Sequence, residues 1–211
     1  LQLDTIFFTV KQDTTSMKLR AGVINGPKNP QFSFSTAITG EIRDRDAELL
    51  VDYKNEKGET GVLLGVNARP LFEGHGKGNG IAFTLIPENP IIAFQKFHFN
   101  EKHNWIYLHK NMRVYANVDM WDDEGMGFRI HSVPGDTVSL QNIDVEIRRI
   151  RLAELSSVLP YFPEITGLFS AEAHYVQTEK DLQLSAELSI DELIYERQRI
   201  GDVTLGATWL P

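Results

Sequence analysis

The chain contains no cysteine, which excludes disulfides, metal–thiolate sites and thiol catalysis together. It also lacks any apolar run approaching the roughly 20 residues that a membrane-spanning helix needs, and no basic segment followed by an apolar one stands at its N-terminus. Clustered basic charge is missing as well. Against 29 Asp and Glu there are 21 Lys and Arg, for a net charge of −8, and the basic residues are scattered apart from Arg148, Arg149 and nearby Arg151. Nucleic-acid binding requires a concentrated basic footprint, so this composition speaks against it. What is abundant is apolar: 42% of 211 residues are hydrophobic, enough for a sizeable core in one extended segment, 1–211, with an internal boundary placed near 135–160.

Those apolar residues alternate. In residues 181–190, Leu182, Leu184, Ala186, Leu188 and Ile190 share one side while Gln183, Ser185, Glu187 and Ser189 share the other, the pattern of a half-buried strand. After a polar interruption at 196–199 the alternation resumes, with Val203, Leu205, Ala207 and Trp209 together, and the two ribbons are expected back to back. The same grammar holds in 141–152 and 168–176. Between them Leu152, Leu155, Val158 and Leu159 recur at helical spacing until Pro160, which predicts one short helix.

Further strands are expected at 5–10, 17–23, 31–39, 47–53, 61–66, 80–86, 91–99, 105–108, 113–120, 126–133 and 138–150. Turn chemistry separates most of them, including Asn25-Gly26-Pro27, Lys57-Gly58 and the run from Pro87 to Pro90. A parallel sheet would need a crossover helix between strands, and those helices are missing. The expected fold is therefore all-β: an elongated, mostly antiparallel curved sheet, trough-like, with one short helix. Burying each Leu or Ile side chain is worth about 1.5–3 kcal/mol, so the row of Leu182, Leu184, Leu188, Ile190, Val203 and Leu205 must be covered, by a second sheet or by a bound apolar partner.

The order of strand, short helix, Leu-Pro, Gly and then strands ending in Ile200-Gly-Asp-Val-Thr-Leu-Gly-Ala-Thr-Trp209 resembles the TamB branch of the AsmA-like envelope proteins. The likeness is greatest over 137–211, and the stretch from Thr5-Ile-Phe-Phe-Thr-Val-Lys-Gln-Asp13 through Gly26-Pro-Lys-Asn-Pro-Gln-Phe-Ser-Phe34 is similar to TamB-like chains of the Bacteroidetes type. The resemblance implies a β-taco whose hydrophobic groove carries phospholipid between inner and outer membrane or assists outer-membrane protein assembly. It further implies a non-enzymatic periplasmic segment of a longer, inner-membrane-anchored chain. The implied partners are phospholipid acyl chains, a TamA- or BamA-like barrel and neighbouring repeats of the same chain, one of which would cover Trp209. In keeping with this, the chain opens at Leu1 as if within a strand and stops at Pro211, as a piece of something longer would.

Other chemistries find little footing. The glycine-rich run 73–80 has no Gly-Lys-Ser/Thr and leads into a strand instead of a helix, so it reads as a hairpin loop or bulge, at most one able to move over the groove, and not as a phosphate cradle. His98, His103 and His109 lack the spacing of a metal site, so neither a metal nor a cofactor is expected. Residues 119–125 have the composition of a calcium loop without its alternating ligands. Ser132, Ser156 and Ser157 stand in no nucleophile motif. Arg148, Arg149 and Arg151 could meet a lipid phosphate at a groove rim or pair with Asp144, Glu146 or Glu154. Two rivals stay open. A β-sandwich binding module for carbohydrate or a partner β-strand would use an open edge or Trp105, Tyr107, Tyr115 and Trp121. An acidic hydrolase would use Asp119, Glu146 and Glu187. The remaining aromatics, Phe7, Phe8, Phe32, Phe34, Phe94, Phe97 and Phe99 among them, read as core or cross-strand partners.

Overall fold

Period-two patterning lets the backbone satisfy its hydrogen bonds strand against strand. The computed structural model describes residues 4–26, 33–72, 79–133, 136, 138–158 and 162–210, and nearly all of them lie in strands: β1 (Thr5–Gln12), β2 (Ser16–Asn25), β3 (Phe34–Arg43), β4 (Asp46–Lys54), β5 (Thr60–Leu71), β6 (Gly80–Ile92), β7 (Gln95–Lys96), β8 (His98–His109), β9 (Val114–Trp121), β10 (Gly127–Ser132), β11 (Gln141–Arg151), β12 (Ile165–Gln177), β13 (Leu182–Tyr195) and β14 (Gln198–Trp209). One short helix, α1 (Leu152–Ser157), joins β11 to β12. Most of the glycine-rich run, 73–78, together with Phe32, Leu159 and Pro160, lies outside the described residues.

Every pairing is antiparallel, and the strands follow one another in the order β1-β2-β3-β4-β5-β6-β8-β9-β10-β11-β12-β13-β14, with β7 paired to β6 off this path. This is the expected all-β antiparallel sheet, and it is open, with β1 and β14 at its edges. Among the described residues the strands form this one sheet and no second, and each lies against its neighbours in the order. The two-sheet architecture of the sandwich alternative is overturned by that single open sheet. So is the back-to-back arrangement of 181–190 and 200–209, because β13 and β14 lie side by side as a hairpin, Leu188 opposite Leu205 and Ile190 opposite Val203.

The turn expected across Pro87 to Pro90 does not form. Strand β6 runs through both prolines and the chain reverses at Ala93 and Phe94, where both residues have positive φ. Proline cannot donate to a ladder, and here it need not: β6 pairs with β8 only over Gly80–Phe83, well short of the prolines.

The sheet folds toward its apolar side. In a flat sheet β5 and β11 would stand five strands apart, about 24 Å at ~4.8 Å per step. Yet a Cβ on Gly61 of β5 would lie 2.9 Å from Cγ1 of Val158, at the end of the helix that follows β11, and Gln95 Nε2 is 3.4 Å from Glu154 Oε1 of that helix. Six helical residues cover only about 9 Å, so curvature supplies the rest. Irregular pairing lies within this span, at Leu63/Gly65 in β5 and Phe99/Asn104 in β8, and a crease of β-bulges follows from β11 onward. Register shifts occur at Ile147/Ile150 in β11, Thr166/Leu168 in β12 and Ile190/Leu193 in β13, and Arg149, Gly167, Glu192 and Gly201 take positive φ along this line. Bulges bend the strand and raise its twist.

Candidate functional site

The site grows out of register. In an antiparallel ladder, directly paired residues share a face, so pairing can be followed from strand to strand. From β1 to β9 the path includes Val10 opposite Leu19, and the row Met17, Ile42, Ala47, Ala68, Phe83, Ile106 and Ala116. From β9 to β14 it continues as Met120, Phe128, Ile147, Ala171, Leu188 and Leu205. Up to the crease, no register-paired residue on this face carries a charge. The opposite face carries Lys18, Glu41, Glu48, Arg129, Glu146, Glu172 and Glu187 at matching levels.

All six residues singled out from the sequence fall on the uncharged face. Leu184 stands opposite Tyr175 and Trp209, Leu182 opposite Gln177, and Ile190 opposite Phe169 and Val203. The face is open at both edges of the sheet and closed in its middle. Phe8 of β1 is 70% exposed and Leu205 of β14 is 58% exposed, whereas Val118 of β9 is 1% exposed. Around that middle Phe97, Met120 and Met126 are buried together, with Ile92, Phe99, Phe128 and Ile150 packed against them.

Aromatic side chains brace the closed part. Phe34 stacks on Tyr53 at 6.0 Å, Phe94 meets Tyr53 edge-on at 6.5 Å, and a Cβ on Gly61 would touch Phe94, Tyr53 and Val158 at once. Helix α1, which has no side-chain N-cap, is thus held by packing and by the Gln95–Glu154 contact. Burial pushes the Tyr53 hydroxyl above its ordinary pKa, with Glu56 adding to the shift.

The arginine trio divides its labour. Arg148 bonds to Glu146 within its own strand, and this bond holds the Glu146 carboxyl below its usual range, with Arg129 contributing. Arg151 meets Asp122 at 3.4 Å as well as Glu124 and Glu154. Arg149 does not interrupt the apolar row as its position suggests. It is the bulged residue, its N–H donates to Ser170 Oγ, and the extra residue returns Ile150 to the apolar side opposite Phe169.

The acidic run 119–125 spans the end of β9 and the turn to β10, in which Asp122 Oδ1 accepts the N–H groups of Glu124 and Met126. His98 and His103 lie beside Asp123 and Asp119 at 3.9 and 3.8 Å, and His109 contacts Asn111 at 2.7 Å. Among the described residues no three His, Asp or Glu side chains gather as metal ligands. Asp119, Glu146 and Glu187 share the polar face, but Asp119 and Glu146 flank Arg129 and a Glu172 separates Glu146 from Glu187. Aromatic residues on this polar face are capped by guanidinium groups: Arg20 lies 5.3 Å from the Phe7 ring and Arg113 5.0 Å from that of Tyr115.

Sequence reasoning located the edge at β13 and β14 but gave no weight to the matching one at β1, where Ile6, Phe8 and Val10 are exposed together. Their alternation with Phe7, Thr9 and Lys11 was the available signal. Comparison with family models, with curated proteins and with solved structures finds no match.

Proposed function

We propose that this chain is a non-enzymatic segment of a cell-envelope protein that binds phospholipid acyl chains along its uncharged face, in the manner of the TamB-like proteins it resembles. The observation that carries this reading is the unbroken, charge-free row crossing the sheet from β1 to β14, exposed at both edges. Exposed apolar patches such as those at the two edges of the row mark binding sites. Thirteen strands at ~4.8 Å give the row a contour of about 58 Å, longer than an acyl chain, which spans half of a ~30 Å hydrocarbon core.

Affinity would come from desolvation and dispersion, with headgroups left at the wet rim and no residue required to ionise or form a covalent bond. The exposed edges at β1 to β3 and β13 to β14 would take lipid, or the neighbouring repeats of a longer chain, and the braced middle would hold the walls in place. In this proposal the full-length protein is anchored in the inner membrane, crosses the periplasm and works with a TamA- or BamA-like barrel.

The test is a native mass spectrum and lipid extract of protein purified without detergent. Phospholipid should co-purify, and Leu184→Arg or Leu205→Arg should remove it while expression is unchanged. Absence of lipid from the unaltered protein, together with no uptake of a fluorescent phospholipid from vesicles, would sink the proposal.

A further inference from the structure

The polar side of the sheet carries a concavity that acyl-chain binding leaves unused. It measures about 490 Å³ and is bordered by Trp105, Tyr115, Asn117, Asp119, Arg129 and His131. Register assembles it: Trp105 of β8 stands opposite Asn117 of β9, Asn117 opposite His131 of β10, and Asp119 opposite Arg129. An indole therefore borders a row made of an amide, an imidazole, a carboxylate and a guanidinium. Tyr115 is fixed in place, stacked on Tyr107 at 6.2 Å with the Arg113 guanidinium over its ring.

We infer that this cleft binds a neutral oligosaccharide. A pyranose offers an apolar C–H face and a rim of hydroxyl groups, which are donors and acceptors at once. The first matches an aromatic ring and the second matches a mixed row of side-chain donors and acceptors. Carboxylates (Asp119 and Asp136) and basic groups (Arg129, His103 and His131) both line the cleft, so its charge is mixed and favours no polymer of a single sign. A purely apolar ligand would cover the Asn117 amide and the Asp119 carboxylate, which lies 3.8 Å from His103, without offering either a hydrogen bond. Trp105 is the stacking surface in this assignment, and Asn117 and Asp119 hold the hydroxyls.

The probes are cellotetraose and tetra-N-acetylchitotetraose, both neutral, titrated calorimetrically and by tryptophan fluorescence into the intact chain. At least one should bind, with a change in indole emission. Trp105→Ala should weaken binding at least about tenfold and Asn117→Ala about threefold, each equivalent to loss of one aromatic or polar contact. Trp121→Phe should leave binding unchanged, and retained phospholipid should be the same in all three variants, which separates this site from the apolar face and shows that they are folded. No binding of either probe at about 10 mM, a concentration that detects even millimolar affinity, would overturn the inference. Binding that survives both Trp105→Ala and Asn117→Ala would do so equally.

Discussion

Arg151 illustrates how one side chain fixes the relation between two parts of the sheet. Its guanidinium reaches Asp122 in the β9–β10 turn and Glu154 in α1, and the Asp122 side chain is only 4% exposed. Without Arg151 the buried Asp122 keeps the Glu124 and Met126 N–H groups as partners, so Arg151→Ala, at a side chain 25% exposed, should lower stability to urea by about 2 kcal/mol, short of the full loss from a buried pair. A loss below about 1 kcal/mol, the worth of an exposed pair, would mean the hub is not structural. Asp13 gives a residue-scale pH effect. Its carboxylate accepts the Thr15 N–H, the Ser16 hydroxyl and the Ser16 N–H, which lowers its pKa from 3.8 to about 2. Because the folded value is the lower one, the unfolded chain binds more protons between those values, so this stabilisation is complete above about pH 4 and is lost as pH falls toward 2. Protection factors of the β1–β2 hairpin amides, corrected for intrinsic exchange, should fall over that window in the unaltered protein and fall less in Asp13→Ala.

At the scale of elements, the β13–β14 turn breaks a rule whose repair is measurable. Glu196 and Arg197 both take positive φ, 45° and 69°, in a two-residue hairpin loop that favours Asn-Gly. The Arg197–Glu164 contact at 3.4 Å is highly exposed on both sides and contributes little. Arg197→Gly should therefore stabilise the protein by about 0.5–1 kcal/mol, the left-handed cost of an L side chain less the added chain entropy of glycine. A lower urea midpoint for that variant would contradict this. Element type was readable from the sequence because period-two alternation is a local signal, and β9, β10, β11 and β12 lie close to where alternation put them. The β6 prolines misled because turn propensity cannot tell a strand with a partly unpaired side from a break. The bulges were invisible for the opposite reason: in sequence Arg149 interrupts the alternation of Val145 and Ile147, whereas in the sheet it re-phases it, so that Ile150 rejoins the face of Ile147.

On the scale of the whole molecule, one question decides what the sheet is for: whether its two faces differ in function as sharply as in chemistry. Thr204 and Leu205 are adjacent on the edge strand β14 and both exposed, so arginine at either should be tolerated by the fold. They differ in side, since Leu205 continues the row through Leu188 and Ala171 while Thr204 stands opposite Ser189 on the polar side. That Leu182, Leu184, Leu188, Ile190, Val203 and Leu205 share one face was legible because each alternates within its own strand, but the continuity of the face across thirteen strands depends on register, which a single sequence does not encode in any local window. A charge placed in hydrocarbon costs about 2.5–3.5 kcal/mol, reduced where a long side chain can reach water. Leu205→Arg should accordingly lower phospholipid retention at least about tenfold, and Thr204→Arg should leave it within about twofold, the spread expected of a surface change. The pair shares charge, strand and exposure, so net electrostatics and global stability cancel in the comparison. If both variants lose lipid alike, or neither does, the two faces are equivalent toward lipid and the chemical asymmetry of the sheet serves packing alone.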